Sequence, residues 1–248
     1  MSAASLNNSP PNDRELFHRL KRAAQAQHFP KLSIRPKDSS CLMKTINWLF
    51  NIFSPQSKAD SFLKNFWTTI GFTIFWPIIY AAQNLRYWWT LCHELGHCFQ
   101  KQKWKILFDV LYLWPISQGI LLLLFCWLPV FWASGWWLVL WIVGWVVVAG
   151  VHFIPQWPDP WRAHWEYQCY CISMYCYNLR HSGIPDSYIT RLVGVFANMS
   201  YWKMEPRTNK MRKKLEVARI CIIQGQVPPK TAWVYTPMIK LLHDVWCD

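Results

Sequence analysis

The chain has 248 residues, of which 53% are hydrophobic and 17% aromatic, so it can form one ordinary domain or a small domain with membrane segments. A net charge of +13 is typical of a protein whose basic segments bind anionic lipid. Because no aromatic-basic signature of RNA or DNA binding occurs, we expect no nucleic-acid partner. The nine cysteines contain no CxxC pair, which favours reduced thiols over a disulfide framework.

The amino-terminal residues 1–40 are polar and rich in proline around a short amphipathic patch from Glu15 to Gln27. This composition predicts a mobile arm. Because no apolar run follows a basic start, we expect no cleaved signal peptide. In residues 41–65 the apolar side chains recur at helical spacing, which predicts a helix that packs on the domain or lies on a membrane surface.

The next stretch, from Phe66 to Pro77, is rich in Thr, Ile and aromatic residues, which favour β-strands. It is short for a membrane span, and a third span would put the two basic parts of the chain on opposite sides of a membrane. We therefore expect one or two strands with Gly71 at a turn or bulge, while a third membrane segment over residues 66–82 is the alternative.

A helix from about Leu85 to Lys103 carries the sequence HELGH at residues 93–97. Histidines four residues apart share a helix face, so His93 and His97 can bind one metal ion, and Glu94 then lies beside the water on that ion. Zn²⁺ lowers the pKa of such a water to ~7, and Glu94 would act as the general base. With 8 His and 5 Glu in the chain, this motif is expected by chance only about 0.005 times.

No Asp, Glu, Lys or Arg occurs between Asp109 and Asp159. Two spans of ~20 apolar residues fit in this interval, so residues 110–156 are predicted to form a transmembrane helical hairpin that turns between Pro129 and Gly135. The alternative is a pair of buried helices in a soluble core. Because both flanks are basic, we expect an integral membrane protein with both termini and the metal site on the cytoplasmic side and with membrane lipid as a partner.

A third protein ligand is needed to complete a catalytic zinc site. The downstream candidates are Asp109, His152, Asp159, His164, Glu166, His181 and His243. Glu166 is preferred because it lies on the second turn of a helix that begins at Asp159-Pro160, among aromatic neighbours where a buried carboxylate needs a partner. The hairpin returns the chain to its starting side, so that Glu166 and His97 can share one ion.

The order of these motifs, from Thr69–Pro77 through the HELGH helix to Arg162–Tyr170, resembles the small gluzincin-type zincin domains of bacteriophage proteins. The resemblance covers roughly residues 66–205. It implies zinc ligands at His93, His97 and Glu166, a catalytic base at Glu94, and a strand over residues 69–75 beside the cleft. Such an edge strand would hold an extended peptide near Gly71, Phe72 and Thr73. Cys169 replaces the alanine of the family pattern, and the long hydrophobic insertion is a further departure.

The expected fold is therefore α+β and mostly helical, with short strands and an inserted transmembrane hairpin. Residues 41–109 supply the strands and the HExxH helix, and residues 157–248 supply the glutamate helix and further helices. The expected function is zinc-dependent hydrolysis of a peptide or protein substrate. Three alternatives remain open: a non-enzymatic membrane protein with a zinc-stabilised scaffold, a membrane-disrupting protein whose hairpin is the active part, and amide hydrolysis of a non-peptide substrate such as cell-wall material.

Overall fold

The computed structural model describes residues 12–53, 67–77, 88–112, 135–136, 138–139, 141–144, 160–197 and 204–247. These residues form a mostly helical fold with one small sheet, in agreement with the predicted α+β class. The helices are α1 (Asp13–Gln27), α2 (Cys41–Phe53), α3 (Trp88–Trp104), α4 (Ile106–Tyr112), α5 (Pro160–His181), α6 (Asp186–Ala197), α7 (Thr208–Ile223) and α8 (Ala232–Cys247). The strands are β1 (Ser33–Pro36), β2 (Thr68–Ile70) and β3 (Thr73–Trp76).

Helix α1 is an integral part of the core, so the prediction of a mobile arm over residues 1–40 is wrong from residue 12 onward. Asn12 caps the helix by accepting a hydrogen bond from the Arg14 backbone N–H at 3.0 Å. One face of α1 is apolar and buried, and it packs against α3 and α8. That face consists of Leu16, Phe17, Leu20 and Ala24. Residues 1–40 are polar on average, so their composition gave no sign of this apolar stripe, although one apolar face is sufficient for a helix to pack on a core.

The three strands form one sheet in the order β1, β3, β2. β3 pairs in parallel with β1 and antiparallel with β2. Gly71 turns the chain between β2 and β3 with a φ of +62°, a conformation that favours glycine. The expectation of two strands with a turn at Gly71 is confirmed for residues 67–77, and β1 adds a strand that the arm interpretation did not foresee.

The two helices that carry the predicted ligands, α3 and α5, pack directly against each other. Gly96 lies at their closest approach, because a Cβ atom there would come within 2.8 Å of Cys169 Sγ. Helix α5 begins at Pro160 as predicted and ends at His181, followed by Ser182 in the left-handed region with a φ of 53°. The absence of a side chain at Gly96 therefore sets the spacing of the two ligand helices.

The carboxyl-terminal helices complete the core around α5. α7 contacts α6 and α5, and α8 contacts α1, α3 and α5. α6 and α7 are among the further helices that were expected within residues 157–248. α8 occupies the segment beyond Pro228 that sequence patterns left unassigned, and it contains Pro237. Its buried side chains close the core on the side of α1.

The predicted transmembrane hairpin over residues 110–156 lies almost entirely outside the described residues. Its first residues belong instead to α4, which runs to Tyr112 and contacts both α3 and α5. In the part of the chain that the structure describes, no helix has the length and apolar character needed to cross a bilayer.

Candidate metal centre

The three predicted metal ligands converge in the structure. His93 Nε2 lies 3.2 Å from Glu166 Oε2, and His97 Nε2 lies 3.8 Å from the same oxygen. The histidines share one face of α3 because they are four residues apart, and α5 brings Glu166 opposite them. Ligand atoms ~2.0–2.1 Å from a tetrahedral Zn²⁺ are spaced ~3.3 Å from one another. The distance from His93 to Glu166 matches this spacing, and the distance from His97 to Glu166 is somewhat longer.

Each histidine is oriented through its other ring nitrogen. His93 Nδ1 lies 3.2 Å from Ser173 Oγ, and the Ser173 hydroxyl donates to the Cys169 carbonyl at 3.4 Å. Ser173 therefore accepts from His93 Nδ1–H. His97 Nδ1 lies 2.8 Å from Gln100 Oε1, which is likewise an acceptor. With both protons on Nδ1, both Nε2 atoms face Glu166, as metal-binding imidazoles do.

Charge balance also favours a cation at this point. The Glu166 side chain is 5% exposed, and an ionised carboxylate at such a depth needs a positive partner. Burial alone would raise the pKa of Glu166, but the hydrogen bond with His93 and the charges of His97, His93 and Arg162 hold it below its ordinary value. Burial lowers the pKa of His93, but the hydrogen bond and the charge of Glu166 have the larger opposite effect, so that the pKa lies above its usual value. Burial lowers the pKa of His97. A proton on His93 or a metal ion would meet the same need.

Cys169 offers a different third ligand, since its sulfur comes within 4.8 Å of ring nitrogens of His93 and His97. The geometry favours Glu166. Cys169 Sγ lies 3.5 Å from His97 Nδ1, the atom that is hydrogen-bonded to Gln100, and so it lies on the side away from Nε2. Burial also raises the pKa of the Cys169 thiol, which disfavours the thiolate that metals bind.

Glu94 projects from the same helix toward the sheet. Its Oε2 accepts a hydrogen bond of 2.5 Å from the Thr69 hydroxyl on β2. Lys37, fully buried directly after β1, lies near enough for the Glu94 charge to act on it. Burial lowers the pKa of Lys37 to about 7, although Glu94 opposes that shift. Thr69 was part of the predicted cleft strand, whereas Lys37 gave no sequence signal because residues 1–40 were interpreted as an arm.

The predicted peptide-binding residues do not lie on a free strand edge. Gly71 is in the turn, and the Phe72 carbonyl accepts from the Ser33 N–H at 3.0 Å. Thr73 belongs to the central strand and is paired with Ser33 on one side and Ile70 on the other. These three residues therefore do not form the free strand edge that was expected, and their role in substrate binding stays a prediction. β2 forms the sheet edge nearest Glu94.

Two further residues surround Glu166. Tyr112 donates a hydrogen bond to Glu166 Oε1, and the Arg162 guanidinium carbon lies 5.1 Å from the centre of the Tyr112 ring. Sequence patterns assigned Tyr112 to the hairpin and gave no sign of this role. The Arg162 charge also helps to keep the Glu166 carboxylate ionised.

The remaining ligand candidates that lie in the described residues do not join the centre. Asp109 pairs with Lys101, His164 lies 3.1 Å from Gln168 Nε2, and the His181 ring contacts Tyr177. His243 lies on the exposed side of α8. His152 and Asp159 lie outside the described residues.

Comparison of the chain with protein-family models, curated proteins and solved structures gives no match.

Proposed function

We propose that the chain is a membrane-anchored, zinc-dependent metallohydrolase that acts on peptide bonds. His93, His97 and Glu166 are the proposed ligands, and Glu94 is the proposed general base. The observation that carries the proposal is the convergence of both Nε2 atoms on Glu166 Oε2 while each Nδ1 has its own partner. The resemblance to gluzincin-type domains supports the same assignment.

Zinc at this centre would polarise a carbonyl group and lower the pKa of a water to ~7. The chain's own residues supply the rest. Thr69 occupies Glu94 Oε2, which leaves Oε1 to accept a proton and later to return it to the leaving amine. Tyr112 occupies Glu166 Oε1 and leaves Oε2 for the centre. In each of these two carboxylates, one oxygen is held by a hydrogen bond from a neighbouring side chain.

The edge strand β2 supports a peptide as the substrate class. An extended peptide can pair with an exposed strand edge, and Thr69 connects this edge to the proposed base. The uncharged interval between Asp109 and Asp159, flanked by basic segments, supports membrane attachment with the centre on the cytoplasmic side.

The test is metal analysis combined with matched variants of the full chain. Wild type is expected to contain about one zinc per chain, whereas Glu166→Gln and His93→Ala should lose it. Glu94→Gln should keep the zinc and the fold but lose peptide hydrolysis. A correctly folded wild type that takes up no zinc would refute the proposal.

A second candidate is a zinc-stabilised scaffold without catalysis. The nearness of Cys169 to ring nitrogens of both histidines favours it, because a metal held by Cys169 and the histidines would lie on the Nδ1 side of His97, away from Glu166. Cys169→Ala separates the two functions. In the hydrolase it should leave zinc content unchanged, and in a closed structural site it should release the metal.

A further inference from the structure

A chain of buried amides extends from His97 to the carboxyl-terminal part of the fold. Gln100 and Gln168 are both fully buried. Gln100 Oε1 lies 2.8 Å from His97 Nδ1, and Gln100 Nε2 donates to Gln168 Oε1 at 3.0 Å. Gln168 Nε2 in turn donates to the Lys230 carbonyl at 2.9 Å. Four residues on α3, on α5 and in the turn before α8 are thus joined by continuous hydrogen bonds.

The donor and the acceptor of each hydrogen bond in this series are fixed by two backbone carbonyl groups, those of Trp165 and Lys230, because a carbonyl can only accept. A side-chain amide has two N–H donors on nitrogen and only acceptors on oxygen. Gln100 uses both donors, one to the Trp165 carbonyl at 2.8 Å and one to Gln168. Its oxygen therefore faces His97, and the proton of that bond must come from His97 Nδ1.

Gln168 is fixed in the same way. Its oxygen accepts from Gln100, and its nitrogen lies 2.9 Å from the Lys230 carbonyl and 3.1 Å from His164 Nε2. If this amide turned over, its oxygen would face the Lys230 carbonyl oxygen, and the bond would become a repulsion. Lys230 itself has a φ of 63°, and the buried Thr231 hydroxyl bonds to the Pro228 carbonyl at 2.7 Å. The turn that presents the carbonyl is therefore ordered by its own contacts.

We propose that Gln100 and Gln168 are positioning residues that hold His97 with its proton on Nδ1 and its Nε2 lone pair toward Glu166, and that the turn at Lys230 anchors them. This inference rests on the proposed zinc function. Loss of such an outer partner typically lowers metal affinity 10–100-fold. The amide chain makes zinc affinity depend on a turn more than 130 residues away from His97 in sequence.

The experiment measures the zinc affinity of the full-length protein by competition with a chromophoric chelator. Gln100→Leu should weaken zinc binding by about 10–100-fold. Gln102→Leu is the matched control, because Gln102 lies on the same helix but is exposed, and its affinity should equal that of wild type.

A second readout separates positioning from general damage. In the metal-free protein labelled with ¹⁵N-histidine, His97 should carry its proton on Nδ1 in wild type and shift toward the Nε2-protonated form in Gln100→Leu. Unchanged affinity and an unchanged His97 tautomer in Gln100→Leu would overturn the inference while leaving the zinc function intact. If that variant does not fold, Gln168→Met carries the same test in the same direction. A wild type that binds no zinc would instead refute the proposed function.

Discussion

Replacement of Gly96 by alanine tests whether the contact between α3 and α5 controls the centre. The added Cβ would lie 2.8 Å from Cys169 Sγ and 3.0 Å from Ile172 Cδ1. Carbon atoms in ordinary contact are ~3.5–4.0 Å apart, so α3 and α5 must separate or Cys169 must move. Both neighbours are fully buried, which leaves little room for movement.

Two opposing effects determine the size of the change. Alanine is favoured over glycine in a helix by ~1 kcal/mol, whereas overpacking a core costs ~1–3 kcal/mol. We therefore expect Gly96→Ala to lower the free energy of unfolding by about 1 kcal/mol. The same displacement moves Glu166, one turn before Cys169 on α5, away from the histidines, so zinc affinity should fall as well.

A double-mutant cycle with Cys169→Ala isolates the contact. Removal of the sulfur leaves only the Cys169 Cβ, at an ordinary 3.6 Å, and the flexible end of Ile172 near the new methyl group. In that background Gly96→Ala should stabilise the protein by up to ~1 kcal/mol, because the helix preference alone remains. Urea unfolding of the four proteins gives the coupling energy, which we expect to be about 2 kcal/mol. Additivity within ~0.5 kcal/mol would refute the reasoning.

Two other predictions concern residues 12–40. Leu20→Ala should lower the free energy of unfolding by ~2–5 kcal/mol, because Leu20 is fully buried, whereas Arg22→Ala, at an exposed position of α1, should change it little. Equally small effects of both changes in thermal unfolding would favour a mobile arm. The folded-state pKa of Lys37 is lowered to about 7, so between pH 7 and ~10.4 the unfolded chain binds a proton that the folded chain does not, and stability should rise with pH by up to ~1.4 kcal/mol per unit. Lys37→Met should remove this contribution, and parallel pH profiles of unfolding for the variant and wild type would contradict it.

Local sequence patterns were sufficient to predict the elements that carry the centre. The predicted helix from Leu85 to Lys103 agrees with α3 in the residues that the structure describes. The helix beginning at Pro160 and the strands around Gly71 were also predicted, because proline, glycine and β-branched residues act on the chain near their own positions. The choice of Glu166 as third ligand followed from its place on a capped, aromatic-rich helix and from the order of the motifs along the chain.

Features that depend on distant partners were not predictable in this way. α1 is stabilised by α8, which lies some 200 residues later, so its short apolar stripe carried little weight against a polar segment. The sequence patterns also did not predict β1, which is the parallel partner of β3. The resemblance predicted an edge strand over residues 69–75 that holds a peptide, whereas β1 pairs with β3 and makes β3, with Thr73, the central strand. The roles of Tyr112 and Gln168 depend in the same way on helix packing.

Helix α5 contributes one proposed ligand of the centre and also contacts the two histidines that α3 contributes. α5 provides Glu166, holds His93 through Ser173, and contacts His97 both through Gln100 and through Cys169 Sγ. A shift of α5 would therefore disturb all three donor atoms at once, so metal affinity and helix packing should change together. An ion that binds only the folded chain adds its binding free energy to stability. Since the buried carboxylate of Glu166 needs a positive partner in any case, zinc would replace a proton on His93 and strengthen a contact between α3 and α5 that the fold already makes.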